Sequence, residues 1–367
     1  MTLPMSRIIH VVPDSLEKAH HRFLGSGKDT MGRTEYFEAR GCEVHTIVAE
    51  DRSDEAVSRE LEALKLGGFD AAVFELPLYP RALDVLRRRA PKIRRLVRAI
   101  NAECLQRLHL WSAHRRYPYS HEEPGQLRAD LRDAWHRLRL DYACARAADV
   151  LLSISDWETD RYWRRLAGRR AVTVPYFTPR LFEQEGPDAV KEPLCLCMLS
   201  TSNTIKPFTL DALQNFTRLA RGFRWGHKKS PWRFAVTGNL AVRTMWPEAL
   251  SATLRLPKGI EHLGFVPDPI ALSARARAIA VLSDYGFGFK TKILDAITTQ
   301  TWVLLPRALY ERLPAEVRPF CIVVALDSTD SFAEALDRAT QPYPPGSPNT
   351  ALRARAFEAM DRALGRT

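Results

Sequence analysis

Two glycines, two lysines and one acid lie close together in the last third of the chain, a grouping suited to binding an anion. Gly286 and Gly288 follow an apolar run, and Lys290, Lys292 and Asp295 come next, where helical periodicity begins. Glycines let the backbone approach a ligand closely, and a helix start offers free N–H groups at the positive end of its dipole. The carboxylate of Asp295, about one turn inside the helix, is placed to accept hydrogen bonds from two ribose hydroxyls. The pattern predicts a phosphate-binding loop; the alternative is a tight strand-to-helix turn whose lysines are only solvated.

A second polar segment, 200–206, follows the apolar run 194–200 and contains Ser202 and Lys206. Small hydroxyl side chains and a lysine at the carboxyl end of a strand are placed to face the same phosphates. Ser202 serves equally well as an ordinary helix N-cap. The segment therefore adds a candidate contact to the site without defining one alone.

In the first half of the chain, Asn101 and Glu103 follow the apolar run 95–100. A carboxylate at the end of a strand can orient or deprotonate a substrate hydroxyl, which makes Glu103 a candidate general base. The alternative is an acid that caps the helix expected to begin near Leu105.

These candidates are positioned by a regular alternation of short apolar runs, rich in β-branched residues, with segments of helical periodicity. Continuous apolar strands in this arrangement predict a parallel sheet covered by helices on both faces. The predicted strands are 8–12, 44–48, 71–76, 95–100, 150–154 and 171–177, then 194–200, 233–237, 260–266, 279–283, 302–306 and 321–326. The predicted helices are 31–40, 55–66, 81–88 and 126–148, then 209–221, 247–254, 270–277, 290–299 and 331–339.

The two series predict an α/β protein of two doubly wound Rossmann-like domains that face a central cleft. The first domain would span 1–178 and the second 194–350, joined by a linker at 179–193 that is rich in proline and charge. A closing helix is expected within 351–367. Ligands of such sheets bind beyond the carboxyl ends of the strands, so the cleft is the expected site.

Composition excludes several classes of protein. The 367 residues are 46% hydrophobic, which is globular composition, and 54 basic against 43 acidic residues give a net charge of +11. No zinc-finger, RRM or helix-turn-helix spacing accompanies this charge, so no nucleic-acid partner is expected. Arginine clusters within 81–98 and 161–170 are suited to contact an anionic membrane surface; the alternative is a solvated arginine-rich face.

Other signals point to a protein without a membrane span, a metal or a cofactor. The apolar run 8–12 is too short for a signal peptide, and a membrane span would need about 18 apolar residues. A cytoplasmic location is expected, with a peripheral position on the inner face of the cytoplasmic membrane as the alternative. No zinc-type Cys/His spacing and no Asp-x-Asp triplet occurs. Cys195 and Cys197 would share one strand face as core thiols.

The second half resembles the donor-binding domain of GT-B glycosyltransferases, especially family 4 (glycosyl transferases group 1). Lys206 matches a lysine near the start of the family's domain, and the Leu-Gly-Phe-Val run 263–266 followed by a polar turn matches its next strand. The loop matches the family's Gly-x-Gly-x-Lys-x-Lys-x-Leu-Glu-Ala pattern, with Asp295 in place of the usual glutamate. The first half is similar more loosely, in segments 148–155, 174–177 and 98–103.

The resemblance implies a glycosyltransferase that moves a sugar from a nucleoside diphosphate-sugar donor to a hydroxyl of a glycan or lipid-linked glycan, in bacterial surface polysaccharide biosynthesis. It implies a role for each matching residue: Gly286, Gly288, Lys206, Lys290 and Lys292 hold the diphosphate without a metal, Asp295 holds the ribose, and Phe265 and Val266 flank the base. The alternatives are a GT-B-type sugar-nucleotide epimerase, a phosphorylase or a catalytically silent sugar-binding subunit.

One departure from the family stands eight residues before Asp295, where Phe287 replaces the first acid of the usual pair. The nearest acid, Asp284, lies eleven residues before Asp295. The contact that this acid makes with the transferred sugar in the family is therefore not expected from position 287.

The first domain offers further candidates in its predicted loop 25–29, Gly-Ser-Gly-Lys-Asp. It is not a Walker A motif, because residue 22 is not glycine and residue 29 is not serine or threonine. In GT-B enzymes the corresponding loop borders the acceptor and the donor phosphates, so Lys28 or Arg33 would contact them; the alternative is a plain surface loop. His114 and His121 lie in an aromatic and basic segment that could meet a sugar acceptor, although a lone histidine is more often structural.

Overall fold

A computed structural model describes residues 6–13, 25–49, 53–117, 125–183, 190–199, 207–238, 256–286 and 288–366. Its strands form two separate six-stranded sheets in which every pair of neighbours is parallel. The strands of the first sheet are β1 (Arg7–Val12), β2 (Glu43–Val48), β3 (Ala71–Phe74), β4 (Arg94–Ala99), β5 (Val150–Ser153) and β6 (Ala171–Thr173). Those of the second are β7 (Glu192–Met198), β8 (Arg233–Thr237), β9 (Ile260–Gly264), β10 (Ala276–Ala280), β11 (Trp302–Leu305) and β12 (Cys321–Val323).

Each sheet is doubly wound about a point where the direction of winding reverses. The spatial orders are β2-β1-β3-β4-β5-β6 and β12-β11-β10-β7-β8-β9. The reversal lies between β1 and β3 in the first sheet and between β7 and β10 in the second. Connections diverge at these points and leave a crevice at the carboxyl ends of the strands. The α/β fold class expected from the sequence is confirmed.

Helices cover the faces of both sheets. In the first domain they are α1 (Gly25–Ala39), α2 (Asp54–Ala63), α3 (Pro80–Arg89), α4 (Glu103–Arg116) and α5 (Gln126–Ala147). The helical segment 156–167 follows β5 and consists of an α-turn (Asp156–Glu158), a π-helical turn (Thr159–Trp163) and another α-turn (Arg164–Ala167). The rest are α6 (Pro207–Gly226), α7 (Pro269–Arg275), α8 (Thr291–Thr298), α9 (Arg307–Tyr310), α10 (Thr329–Arg338) and α11 (Pro348–Leu364).

The last helix, α11, returns to the first domain. The ring of Phe357 lies 5.2 Å from that of Tyr36 and 5.8 Å from that of Phe177, and the Tyr36 hydroxyl donates to Asp361 over 2.7 Å. The closing helix begins at Pro348, three residues before its expected start, and β7 begins at Glu192, inside the expected linker.

The strand expected over 171–177 ends at Thr173, and the helix expected over 247–254 lies outside the described residues. Two further local expectations are wrong. Residues 25–29, expected to be a loop, form the first turn of α1 because Asp29 is buried in ion pairs with Arg33, one turn on, and with Arg98 of β4. The strand expected over 260–266 ends at Gly264, whose φ of +66° breaks the extended backbone and leaves Phe265 exposed.

The cysteines of β7 confirm the expected pattern of alternation. Cys195 and Cys197 are buried in one apolar cluster, whereas Leu194 and Leu196 belong to the cluster on the other face. Burial raises the pKa of the Cys197 thiol to about 12, as expected for an inert core thiol.

Candidate functional site

The predicted phosphate loop connects β10 to α8, at the winding reversal of the second sheet, and its glycines are required by geometry. Gly286 has φ +94° and Gly288 has φ +79°, a region that favours glycine. A Cβ on Gly288 would lie 1.7 Å from Oδ1 of Asn101 and 3.1 Å from the Ile100 carbonyl oxygen. The backbone of the loop therefore makes its close approach to the end of β4 in the first domain.

The N–H groups of both glycines donate to side chains of the first domain. Gly286 donates to Nδ1 of His109 on α4 over 3.1 Å, and Gly288 donates to Oε1 of Glu158 over 2.9 Å. Burial and the charges of Arg312 and Lys290 lower the pKa of His109 to about 4, so its ring is neutral near pH 7 and can accept this hydrogen bond. The loop thus closes the interface between the domains.

A second contact across the cleft joins the starts of two helices. Lys28, in the first turn of α1, lies 2.6 Å from the carboxylate of Asp295 on α8 and is 3% exposed. A Cβ on Gly25 would lie 3.4 Å from the Thr291 side chain, so the two helix starts are adjacent. Burial raises the pKa of Asp295, although the ion pair with Lys28 opposes this shift. The other oxygen, Oδ1, is buried and has no hydrogen-bond partner among the described residues.

A buried chain of charges holds α1 in this position. Asp29 pairs with Arg33 over 2.5 Å and with Arg98 over 2.7 Å; Arg33 pairs with Glu75 over 2.5 Å, and Glu75 lies 2.6 Å from His10. Burial works to raise the pKa of Asp29, but the two arginines outweigh it and lower that pKa to about 2. Of the two candidates on α1, Lys28 faces the cleft, whereas Arg33 belongs to this internal network.

The loop lysines take different directions. Lys290 lies over the loop, since its Nζ is 2.7 Å from the position that a Cβ of Gly286 would occupy. Lys292 is partly buried and donates to the Met198 carbonyl at the end of β7, over 2.6 Å. Burial lowers the pKa of Lys292. Ser202 and Lys206, predicted to join these lysines, lie outside the described residues.

The acceptor-side candidates lie beside the same loop. Nδ2 of Asn101 donates to Oε1 of Glu103 over 3.1 Å, and the other amide atom of Asn101 faces Gly288. Glu103 is the first residue of α4, so it also has the position of the capping acid. His114 is buried, with Nδ1 2.6 Å from Asp130, and therefore has a structural place; His121 lies outside the described residues.

Three further residues of interest, Phe265, Val266 and Asp284, follow strands of the second sheet. Phe265 and Val266 follow β9, and the side chain of Phe265 is 68% exposed, so its ring is available to a flat partner. Asp284, the nearest acid before the loop, donates its N–H to Asp211 of α6 over 3.3 Å. Phe287 lies outside the described residues.

Sequence reasoning missed two residues of the site, His109 and Glu158. His109 lies in the middle of α4, where periodicity gives no sign of a contact with the second domain. Glu158 follows β5 by five residues and is 2% exposed. The only signal for Glu158 was an acid shortly after a strand. This signal is weak, because acids are equally common in the first turn of surface helices.

Comparisons with solved structures match this fold over nearly the whole chain. The catalytic domain of starch synthase IV from Arabidopsis thaliana, bound to ADP and acarbose, gives a TM-score of 0.58 at 9% identity, covering 99% of both chains. Sucrose-phosphate synthase from Thermosynechococcus elongatus gives a TM-score of 0.57 at 14% sequence identity, and the match covers 98% of this chain and 97% of that one. HepE from Anabaena, in complex with UDP and glucose, gives a TM-score of 0.53 at 12% sequence identity. The match covers 98% of this chain and 95% of that one.

These similarities show that the chain has the GT-B fold, two Rossmann-like domains facing one cleft, as the sequence resemblance predicts. No protein-family model matches the sequence, and a search of the curated proteins finds no match. Within the described ranges, no helix is both long and apolar enough to cross a membrane. In that same part of the chain, no three His, Cys, Asp or Glu side chains are grouped to hold a metal ion.

Proposed function

We propose that this protein is a metal-independent glycosyltransferase that moves a sugar from a nucleoside diphosphate-sugar to a hydroxyl of a glycan or glycolipid. One observation carries the proposal. At the winding reversal of the second sheet, the start of α8 is flanked by Lys28, Lys290 and Asp295, inside the cleft of a GT-B fold. A helix start with two ammonium groups suits a diphosphate, and a carboxylate one turn inside suits the ribose.

The donor would be held by residues of both domains. The loop glycines, Lys290, Lys292 and Lys28, with Lys206 and Ser202, bind the diphosphate, Asp295 binds the ribose, and Phe265 and Val266 flank the base. Nucleotide binding replaces the Lys28–Asp295 pair, because the ribose and the diphosphate need the same groups. The domains then close around the donor instead of around each other, which excludes water.

The transfer itself breaks the bond between the anomeric carbon and the phosphate oxygen, whose electron pair leaves with the nucleoside diphosphate. The lysines and the N–H groups at the start of α8 stabilise this developing charge without a metal ion. The acceptor oxygen bonds to the anomeric carbon and gives up its proton. Glu103, oriented by Asn101, lies beside the loop and is the group proposed to bind the acceptor and take that proton.

The acceptor class and location rest on surface charge. A groove of about 920 Å³ beside the edge strand β6 of the first sheet is lined by six arginines and only two acids. The arginines are Arg94, Arg164, Arg169, Arg170, Arg355 and Arg362. Such a surface favours anionic lipid headgroups, which supports a position at the inner face of the cytoplasmic membrane. It also supports a lipid-linked glycan of bacterial surface polysaccharide assembly as the acceptor.

A nucleotide screen tests the proposal. Thermal unfolding is followed with UDP, GDP, dTDP, ADP and CMP, and one nucleoside diphosphate is expected to raise the melting temperature by mass action. Lys290→Ala is expected to keep the fold and lose both this shift and sugar transfer, whereas Lys258→Ala, on an exposed turn of the same domain, keeps both. No shift with any nucleotide would refute the proposal.

The absence of an acid at Phe287 specifically favours a second candidate, a catalytically silent sugar-binding subunit. Such a protein would bind the nucleotide-sugar and release no nucleoside diphosphate with any acceptor. Measuring release of the nucleotide after binding has been shown distinguishes the two.

A further inference from the structure

A carboxylate of the first domain reaches the phosphate loop of the second. Glu158 lies in the α-turn after β5, and its Oε1 accepts the N–H of Gly288 over 2.9 Å. Asp295, the group proposed for the ribose, lies inside α8, whereas Gly288 lies before its start. A donor whose diphosphate sits at the start of α8 therefore has its ribose towards Asp295 and its sugar towards Gly288 and Glu158.

The carboxylate has capacity left for a ligand. Glu158 is 2% exposed, and its second oxygen, Oε2, is buried without a hydrogen-bond partner among the described residues. An unsatisfied buried oxygen is costly, so its persistence calls for an explanation. Sugar hydroxyl groups are donors, and a carboxylate oxygen in a dry site is a strong acceptor for them.

The charges around Glu158 do not form an ion pair with it. The groups that face it are Arg312 and Glu103, of opposite sign, and the hydroxyl-bearing Tyr162. The N–H of Ala102 also hydrogen-bonds the carboxylate and, like that of Gly288, works to lower the pKa of Glu158. Burial is the largest influence and raises the pKa of Glu158 to about 7. A structural carboxylate of this chain, Asp29, is instead held by two arginines.

The local backbone is also irregular at this point. Ser155 caps the turn by accepting the N–H of Glu158 over 3.3 Å, and a π-helical turn, Thr159–Trp163, begins at the next residue. π-Turns displace side chains from regular helical positions and occur often at functional sites. Here the irregular turn directly follows the side chain that crosses the cleft.

We propose that Glu158 binds hydroxyl groups of the transferred sugar. The first domain then supplies the carboxylate that the second domain lacks at position 287, where the residue is Phe287. This inference rests on the proposed function. Glu158 is then a specificity-determining residue: it distinguishes a nucleotide-sugar from the bare nucleotide and does not contribute to nucleotide binding itself.

The test compares two affinities in the full-length protein. Calorimetry gives the dissociation constants of the nucleoside diphosphate found in the screen and of its glucose and mannose conjugates. Wild type is expected to bind one conjugate more tightly than the nucleotide. Glu158→Gln is expected to keep nucleotide affinity within about twofold and to weaken the conjugate by roughly tenfold or more, as for loss of a hydrogen bond to a charged group.

Two further variants keep the outcome interpretable. Glu158→Asp keeps the charge but shortens the side chain by one methylene. It is expected to lose the same gain in affinity that the sugar gives the conjugate over the bare nucleotide. Asp160→Asn makes the same acid-to-amide change on the exposed side of the same segment and should alter neither affinity. Thermal unfolding of each free variant establishes that it is folded.

The outcomes separate the two proposals. If wild type binds no nucleotide, the proposed function fails, and this inference with it. Suppose that wild type binds the nucleotide, but Glu158→Gln either keeps the higher affinity for the sugar conjugate or weakens nucleotide and conjugate equally. Glu158 then only links the domains, and the inference alone is overturned.

Discussion

Replacing Lys28 by methionine tests the ion pair that joins the two helix starts. Methionine keeps most of the volume but removes the charge, and leaves Asp295 with two unpaired oxygens in a largely buried place. Breaking a buried pair on one side costs about 3–5 kcal/mol. Protonation of Asp295 limits this cost to at most about 4 kcal/mol at pH 7, which is the free energy of protonating a carboxyl of pKa 3.8 at that pH.

The sign of the pH dependence follows from this limit. Without Lys28, the pKa of Asp295 in the folded state rises further above its unfolded value, so the native state binds more protons than the unfolded state. Stability of Lys28→Met therefore falls as pH rises above 3.8. The loss relative to wild type should therefore grow with pH from the pKa that Asp295 has in the wild type, which burial already raises, and should not exceed about 4 kcal/mol near pH 7.

Urea unfolding at a series of pH values, on the wild type, Lys28→Met, Asp295→Asn and the double variant, measures these quantities. The double variant lacks both members of the pair, so its loss should be smaller than the sum of the single losses and should depend less on pH. A Lys28→Met loss that is constant with pH, or two single losses that simply add, would refute the buried ion pair.

Two further predictions concern stability of the cleft. Gly288→Ala should lower the melting temperature, because its Cβ would meet Oδ1 of Asn101 at 1.7 Å. Asn101→Gly in the same chain should recover the part due to Asn101 and leave the 3.1 Å contact with the Ile100 carbonyl oxygen and about 1–2 kcal/mol of backbone cost at positive φ. Equal melting of the single and double variants would contradict this. Burial raises the pKa of Glu158 from 4.5 to about 7, so the native state binds more protons and wild-type stability falls between these pH values. Glu158→Gln should therefore gain about 3 kcal/mol relative to wild type between about pH 5 and about pH 8 in denaturant unfolding, and a pH-independent difference would argue against a buried carboxyl.

The strands, the helices and the parallel sheets could be predicted from the sequence because they follow from the pattern of apolar residues along each segment. Apolar runs of β-branched residues mark strands buried on both faces, and their alternation with helical periodicity is enough to predict parallel sheets. Element ends were less predictable: residues 25–29 are helical, and Asp29 among them pairs with Arg98 on a distant strand. Gly264 ended β9 earlier than its apolar neighbours indicated.

The sequence by itself determined the make-up of the loop that is proposed to bind the donor, since the glycines, the lysines and Asp295 lie within one strand–turn–helix unit. Only the tertiary structure decided which groups meet that loop across the cleft. Lys28 and Asp295 are 267 residues apart, and Glu158 and Gly288 are 130 apart. Periodicity records which face of an element is buried, but not which buried side chain crosses to another domain; that depends on how the carboxyl ends of two sheets are brought together.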